Sequence, residues 1–271
     1  MLRDLGGSLL FGVPLVYTME VWWIGQTSQT GVIAVMVLVG ALVASLLRFA
    51  VIPDLGGPGA LLAGARCAAM SVLVATLFAL CIGVLSPGDG IAKWFGTASA
   101  LGVPLAFGAA LGSVLFRQAG RDGEPDDEAS SGDGGGGTID DSTPVRDMSA
   151  AVLGALFLAL PIAPTDEVPL TASMLDPVRV ALVVPVALLT CYVILFATGF
   201  LEHRGRQHRG FLATASVVTT TTAIAFLVVT ALLLAFGQID SATPPEWLIR
   251  QVAALAPPAV IGAAAGRLAA A

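Results

Sequence analysis

The sequence predicts an all-α polytopic membrane protein, with eight transmembrane helices forming two parallel four-helix repeats. Three observations predict this fold. Of the 271 residues, 56% are hydrophobic and only 12% are charged, about half of the roughly 25% charged residues usual in soluble domains. The apolar residues fall in blocks of about twenty, the length that crosses a hydrocarbon core as a helix. Patterns in the first four blocks also recur in the last four.

Eight apolar blocks follow one another along the chain. Backbone groups in lipid must satisfy their own hydrogen bonds, so each block of this length is predicted to be a helix. The blocks are Leu5 to Gly25, Gly31 to Ala50, Leu61 to Leu85, Trp94 to Phe116, Met148 to Val168, Val178 to Phe200, Phe211 to Phe236 and Trp247 to Ala270.

One long polar segment separates the fourth block from the fifth. Residues 117–147 are rich in acidic residues, Gly and Ser and poor in apolar ones, a composition that cannot bury enough surface to offset its ordering entropy. The sequence therefore predicts three parts: a first membrane repeat at 1–116, a disordered acidic linker at 117–147, and a second membrane repeat at 148–271.

The basic residues predict the orientation. If the eight spans alternate, one side of the membrane carries most of the thirteen Lys and Arg residues. Cytoplasmic loops are enriched in Lys and Arg, so this side, which also carries both termini and the linker, is predicted to be cytoplasmic. It carries Arg3, Arg48, Arg66, Arg117, Arg121, Arg146, Arg204, Arg206, Arg209 and Arg267; the other side carries Lys93, Arg179 and Arg250. We expect a multi-pass protein of the plasma membrane.

Composition and motifs exclude several functional classes. The net charge of −6 does not suit nucleic acid, and the three cysteines lie within the blocks at unrelated spacings, as apolar fillers do. The sequence contains no phosphate-binding loop, zinc-protease motif or nucleophile elbow. We therefore expect no cofactor, no metal centre and no enzymatic activity; the partner is the lipid bilayer, and the oligomeric state stays open.

Two sequence patterns indicate an internal duplication. The first block contains Pro14-x-x-x-Thr18-x-Glu20-Val and the fifth contains Pro161-x-x-x-Thr165-x-Glu167-Val. The fourth and eighth blocks share Leu-x-x-Pro-x-x-x-Gly-x-x-x-Gly, ending at Gly112 and Gly266 respectively. Four spans return the chain to its starting side, so the repeats would be parallel, related by an axis along the membrane normal.

Glu20 and Glu167 are the candidate ion-binding carboxylates. A charged side chain at a helix centre costs about 2.5–3.5 kcal/mol on insertion scales, so such residues usually serve a function. Thr18 and Thr165 would add hydroxyl oxygens, and Asp166 would add negative charge to the outer mouth. These hard oxygen ligands suit a monovalent or divalent cation, or a proton.

Prolines beside these carboxylates are candidate helix breaks. Pro14, Pro161 and Pro164 lack an amide hydrogen, so each would free a carbonyl oxygen near the site. A second interpretation stays open, because Trp22 and Trp23 mark the outer headgroup region and would place Glu20 about one turn inside it. In that case both glutamates would point towards water.

Glycines in the fourth and eighth blocks are candidate packing positions. Gly108 and Gly112 form one Gly-x-x-x-Gly pair, and Gly262 and Gly266 form the other. Such pairs let two helices approach closely. We expect these blocks to make the contact between the halves or between subunits.

Two stretches resemble signatures of one known family. These are Leu10-Phe-Gly-Val-Pro-Leu-Val-Tyr-Thr-Met-Glu-Val-Trp-Trp23 and Ala159-Leu-Pro-Ile-Ala-Pro-Thr-Asp-Glu-Val-Pro169. They are similar to a family of integral membrane proteins that carries only the label domain of unknown function 2391. The resemblance covers the spans of both halves, implies an integral membrane protein, and supplies no catalytic residues.

Two functions from different classes remain ahead of a third, a membrane-embedded enzyme acting on lipid, for which no acid/base or metal constellation is visible. The first is secondary transport or conduction of a cation or proton through the paired glutamates. The second is a non-transport membrane scaffold or partner subunit. Transport predicts that the glutamates face each other across a polar interior, whereas a scaffold predicts that they face water or headgroups.

Overall fold

The computed structural model describes residues 2–27, 57–121, 144–197 and 211–270. Within these ranges the chain is helical and contains no strand. The helices are α1 (Leu2–Gly7), α2 (Val13–Val16), α3 (Met19–Thr27), α4 (Gly57–Ile82), α5 (Ile91–Arg121), α6 (Pro144–Ala159), α7 (Glu167–Met174), α8 (Pro177–Tyr192), α9 (Phe211–Ala235) and α10 (Pro245–Ala270). A π-helical turn, Ser8–Gly12, joins α1 to α2, and a second one, Val193–Ala197, follows α8.

Four stretches of these helices are long and apolar enough to cross a membrane: Leu61–Ile82, Pro177–Leu195, Thr214–Ala235 and Pro245–Leu268. They coincide with the predicted third, sixth, seventh and eighth blocks. Helix α5 covers the predicted fourth block, and the second block, Gly31 to Ala50, lies outside the described residues. The all-helical membrane class is therefore confirmed.

The hydropathy pattern predicted one continuous helix for each of the first and fifth blocks. Both helices are interrupted in the structure. The first is interrupted between Val16 and Met19, and the fifth ends at Ala159 and resumes as α7 at Glu167. Proline explains the second interruption, since Pro161 and Pro164 cannot donate the helical hydrogen bond. Near Pro14 the π-helical turn has the same cause, because a widened turn accommodates a residue without an N–H.

The helices extend into both ends of the predicted linker. Helix α5 continues past Phe116 to Arg121, and α6 begins at Pro144. Proline is favoured at a first helical position, which accounts for the start of α6. The remaining linker residues lie outside the described ranges.

Helices α5 and α10 organise the packing of the two halves. Helix α5 lies against α4, α3, α1 and the first π-helical turn, while α10 lies against α6, α7, α8 and α9. Glycine residues let the helix backbones approach each other closely in both halves. A β-carbon on Gly108 would approach the amide nitrogen of Gly12 to 2.7 Å and the oxygen of Gly7 to 2.9 Å. Gly262 likewise lies backbone to backbone against Gly154.

Gly266 continues the contact between α10 and α6. A β-carbon there would overlap the backbone of Ala150 and approach the Cα of Gly154 to 3.1 Å. Gly112 lies one turn beyond Gly108 on α5. The glycines at 108, 262 and 266 thus contact the first or fifth block of their own half.

Candidate functional site

Two helix breaks carry the residues that the sequence singles out. At the first break, Val21 N–H donates to the oxygen of Thr18 (3.2 Å), and the indole Nε1–H of Trp22 donates to the oxygen of Val16 (2.6 Å). Trp22 is buried, so its ring both fills the break and satisfies the carbonyl at the end of α2. The break is therefore locally well bonded.

The second break is longer and closes on itself through turns. Ala163 N–H donates to the oxygen of Ala159 (2.9 Å), and both the N–H and the hydroxyl of Thr165 donate to the oxygen of Ile162, at 3.0 and 2.7 Å. Pro161 and Pro164 are exposed. The carbonyls of Val16, Ala159 and Ile162 thus already accept hydrogen bonds. These three are not the carbonyls four residues before Pro14, Pro161 and Pro164, so the freed carbonyls near the carboxylates stay a prediction.

Each glutamate lies in the first turn of the helix that follows a break. Glu20 lies in the first turn of α3 and Glu167 in the first turn of α7, where the positive end of a helix dipole favours a carboxylate. Glu20 and Thr18 are exposed, whereas Glu167 is half-buried. Among the described residues neither glutamate forms a salt bridge. The second-half carboxylate is therefore the better shielded of the two.

A buried threonine lies on the same face of α7 as Glu167. Thr171 is fully buried, and its hydroxyl has no hydrogen-bond partner. Residues four apart on a helix are neighbours, so this hydroxyl lies one turn below the Glu167 carboxylate. The sequence analysis missed Thr171; its spacing of four residues from Glu167 was the available signal.

A second unpartnered hydroxyl lies against α3, the short helix that carries Glu20. Thr97 on α5 is fully buried without a hydrogen-bond partner. It lies against α3, because a β-carbon on Gly25 would come within 2.9 Å of the Thr97 Cα. An unpaired buried hydroxyl costs free energy unless water or a ligand satisfies it. An unpartnered buried hydroxyl thus lies within α7, and another lies on α5 where α3 packs against it.

The oxygen-rich groups do not form a conventional metal centre. In the described part of the chain, no cluster of three or more His, Cys, Asp or Glu side chains could hold a metal ion. Asp166, which precedes α7, is exposed and its side chain does not cap the helix. A cation at Glu167 would thus be held by one carboxylate, hydroxyls and water, a ligand set typical of weak, reversible binding of hard ions.

An arginine connects the two halves at the predicted outer end. Arg179 on α8 donates to the oxygen of Leu85 (3.3 Å) and to the hydroxyl of Ser86 (2.8 Å), both in the loop after α4. It also donates to the oxygen of Met174 (3.1 Å) and lies 3.4 Å from the Asp176 carboxylate. Arg179 had served only as a marker of orientation in the sequence analysis.

A second polar network lies at the predicted cytoplasmic end of the second half. Arg267 on α10 donates to the carboxylate of Asp147 on α6 (3.0 Å) and to the hydroxyl of Thr221 on α9 (2.9 Å). Only 12% of the Arg267 side chain and 16% of the Asp147 side chain are exposed. Arg267 therefore connects three helices, α6, α9 and α10. Sequence reasoning missed this network.

Comparison with known proteins agrees with the membrane architecture. The family model described as "Putative integral membrane protein (DUF2391)" matches residues 1–270, which confirms the resemblance carried by the two motifs. No curated protein and no solved structure matches the chain.

Proposed function

The chain belongs to this family of integral membrane proteins, and we propose that it carries a cation or a proton across the bilayer. The site would be formed at the two helix breaks, with Glu167 as the principal carboxylate and Glu20 as its counterpart. Discontinuous helices near the middle of a membrane protein are a recurrent way of building ion sites in transporters.

The observation that carries this proposal is the correspondence between the two interrupted helices. The residue spacing between Glu20 and Glu167 equals the spacing between Thr27 and Met174, where α3 and α7 end. In both halves the chain thus breaks and resumes as a short helix, which starts at Met19 or at Glu167, carries the glutamate in its first turn and ends at the corresponding residue. A pair of breaks with this regularity is difficult to explain by packing alone.

The environment of Glu167 supports it as the principal site. It is half-buried, and the Thr171 hydroxyl one turn below has no partner. An ion or water molecule between the two groups would relieve both the desolvated carboxylate and the unpaired hydroxyl. Glu20 is exposed and has Ile24 at the position corresponding to Thr171, so its role would be to attract ions rather than to hold them.

The proposal includes the arrangement of eight spans as two parallel repeats in the plasma membrane. The matching contacts of Gly108 with Gly7 and of Gly262 with Gly154 support a duplication, because both pairs occupy corresponding places in the sequence repeat. The excess of basic residues supports cytoplasmic termini and a cytoplasmic linker. A cysteine at Ser130 should then resist an impermeant thiol reagent applied to intact cells, and efficient labelling would reverse the orientation.

A non-transport scaffold is the second candidate, and the exposure of Glu20 favours it. If both carboxylates merely face water or headgroups, neither needs a buried partner. The scaffold predicts no ion flux and no effect of either glutamate beyond surface charge. The unpartnered Thr171 hydroxyl beside Glu167 adds to the correspondence of the two breaks as a reason for preferring transport.

Ion flux in proteoliposomes tests the proposal. We expect the reconstituted protein to dissipate or exploit a gradient of Na⁺, K⁺ or H⁺, followed by ion-sensitive dyes in the lumen. Glu167→Gln should abolish the flux, Thr171→Val should reduce it without changing side-chain volume, and Glu20→Gln should reduce it less.

The matched control is Glu246→Gln, which removes an exposed glutamate at the start of α10. It should leave the flux unchanged. Protein that folds and reconstitutes but moves none of the three ions would favour the scaffold. Undiminished flux in Glu167→Gln would instead overturn the assignment of Glu167 as the principal carboxylate.

A further inference from the structure

A large apolar cavity lies between the two halves of the protein, apart from both helix breaks. Its volume is about 370 Å³, within the roughly 300–1,000 Å³ of ligand sites. The first half contributes α1, α2 and α4, and the second contributes α8 and α10. Among the described residues that line it, only Cys81 and Thr190 carry polar side-chain atoms. The cavity is therefore unsuited to an ion or a polar substrate.

The cavity runs along the helix axes. On α4 its lining extends from Val74 to Ile82, and on α10 from Ala253 to Ile261. At 1.5 Å per residue each stretch is about 12 Å long, most of the roughly 15 Å of hydrocarbon in one leaflet. A volume of about 370 Å³ spread over that length makes the cavity an elongated apolar channel.

One side of the cavity is continuous with the surface that faces lipid. Leu77 on α4 and Leu189 on α8 both line the cavity and are more than half exposed, at 55% and 62%. The opening thus leads sideways into the bilayer. Water is a poor occupant, because a buried water needs two to four polar partners, and an empty cavity would forfeit the dispersion contacts of its lining.

We infer that this cavity is a binding site for one hydrocarbon chain of a membrane lipid. The chain enters between Leu77 and Leu189 and lies parallel to the helices between the halves. Its length, its apolar lining and its opening towards lipid suit a single acyl chain. The inference rests on the cavity alone and holds whether or not the protein transports an ion.

Photo-crosslinking tests the site. The full-length protein is reconstituted in phosphatidylcholine vesicles containing a phosphatidylcholine with a diazirine halfway along one acyl chain, and crosslinked peptides are mapped by mass spectrometry. We expect crosslinks on the inward-facing residues of both cavity walls, Val74 and Ile82 on α4 and Val183 and Ala187 on α8. Crosslinks restricted to exposed side chains would overturn the inference.

A matched pair of variants on α8 distinguishes a seated chain from lipid around the protein. Ala187 is buried in the cavity wall, whereas Leu182 is exposed and outside it. Ala187→Phe fills the cavity and should abolish the inward crosslinks, while Leu182→Phe should leave them intact. If Ala187→Phe does not fold, the smaller change Ala253→Val narrows the same cavity and should weaken them.

Two other results would also overturn the site. Undiminished inward crosslinking in Ala187→Phe, or in a folded Ala253→Val where the first variant fails, would place the lipid elsewhere. A protein–protein product between α4 or α8 of two copies would assign the cavity to a second chain.

Discussion

The hydroxyl of Tyr17 donates a 2.6 Å hydrogen bond to the carbonyl oxygen of Ala254. That carbonyl has lost its helical partner, because the residue four positions on is Pro258, which has no N–H. Tyr17 is buried at the break between α2 and α3, and its ring packs edge-on against Phe78 at 5.5 Å. The Tyr17 hydroxyl, at a helix break in one half, thus supplies the hydrogen bond that Pro258 in the other half cannot give to the Ala254 carbonyl.

This relationship predicts non-additive effects of two substitutions. Tyr17→Phe leaves the Ala254 carbonyl unpaired and should lower the free energy of unfolding by about 1–2 kcal/mol. In a Pro258→Ala background the helix can supply its own donor, so the same Tyr17→Phe change should cost clearly less. Unfolding in mixed micelles with increasing dodecyl sulfate measures all four proteins of the cycle. Equal costs in the two backgrounds would show that the hydroxyl does not serve this carbonyl.

The contact between Gly154 and Gly262 predicts a steric penalty. A β-carbon on Gly262 would overlap the backbone of Gly154, and backbone atoms cannot move aside as a flexible side chain can. Gly262→Ala should therefore separate α6 from α10 and destabilise the protein by about 1–3 kcal/mol. The control Gly88→Ala places its methyl group in open space and should be neutral in the same unfolding assay. A neutral Gly262→Ala would refute the close approach.

Hydropathy predicted the class of fold because twenty-residue apolar blocks have only one common solution in lipid. It could not predict the breaks in the first and fifth blocks, since an apolar run reads the same whether or not the helix is continuous. Proline at 161 and 164 marked the second break in advance. The extent of that break depends on turns closed by Ala163 and Thr165, which no periodicity reports.

The candidate site was predictable only in part, for a related reason. Glu20 and Glu167 stand out because carboxylates are rare in apolar blocks, but their different burial depends on which helices pack over them. The pairing of Asp147 with Arg267 joins α6 to α10 from opposite ends of the second half. Sequence placed both residues near the same membrane surface and gave no sign that they touch.

The ion pair of Asp147 and Arg267 predicts a stability difference between buried and exposed pairs. Removing one partner of a buried pair leaves an uncompensated charge, which costs about 3–5 kcal/mol when burial is complete. Since both side chains retain slight exposure, Asp147→Asn should cost roughly 2–3 kcal/mol. The control Glu246→Gln breaks the more exposed pair with Arg250 and should cost less than about 1 kcal/mol. Similar costs in dodecyl sulfate unfolding would contradict the difference in burial.

The loop between α4 and α5 predicts a response to acid. Hydrogen bonds from the Lys93 side chain (3.0 Å) and the Ser86 N–H (2.8 Å) hold the pKa of the Asp89 carboxyl below its usual value. A carboxyl whose pKa is lower in the folded state stabilises the fold above its unfolded pKa of about 3.9, and this contribution is lost as pH falls through the folded pKa.

Residues 86–94 should therefore exchange their amide hydrogens at a constant corrected rate from about pH 7 to pH 5, and faster below about pH 4. Asp89→Asn should remove that acid dependence. Asp240→Asn, in the loop before α10, should leave the exchange of residues 86–94 unaltered. Acid-sensitive exchange that persists in Asp89→Asn would assign the effect to another group.

We expect the hydrogen bonds of Arg179 to hold the two halves together at the end opposite Asp147. Its guanidinium donates to the Leu85 carbonyl and the Ser86 hydroxyl of the first half. The backbone N–H of Arg179 donates separately to the Asp176 carboxylate at 2.9 Å. Arg179→Gln removes the bridge across the halves but keeps that backbone cap on α8. The loop after α4 should then open more often, which would be seen as faster corrected amide exchange at residues 85–89. The end of α7 should also loosen, because the Met174 carbonyl loses a donor.

The control is Arg250→Gln, which removes an arginine predicted on the same side of the membrane. In the described part of the chain Arg250 pairs only within α10, so its loss should not affect that loop. Unchanged exchange at residues 85–89 in Arg179→Gln would mean that packing around Gly83, whose added β-carbon would meet the Met174 oxygen at 2.6 Å, holds the halves together without the arginine.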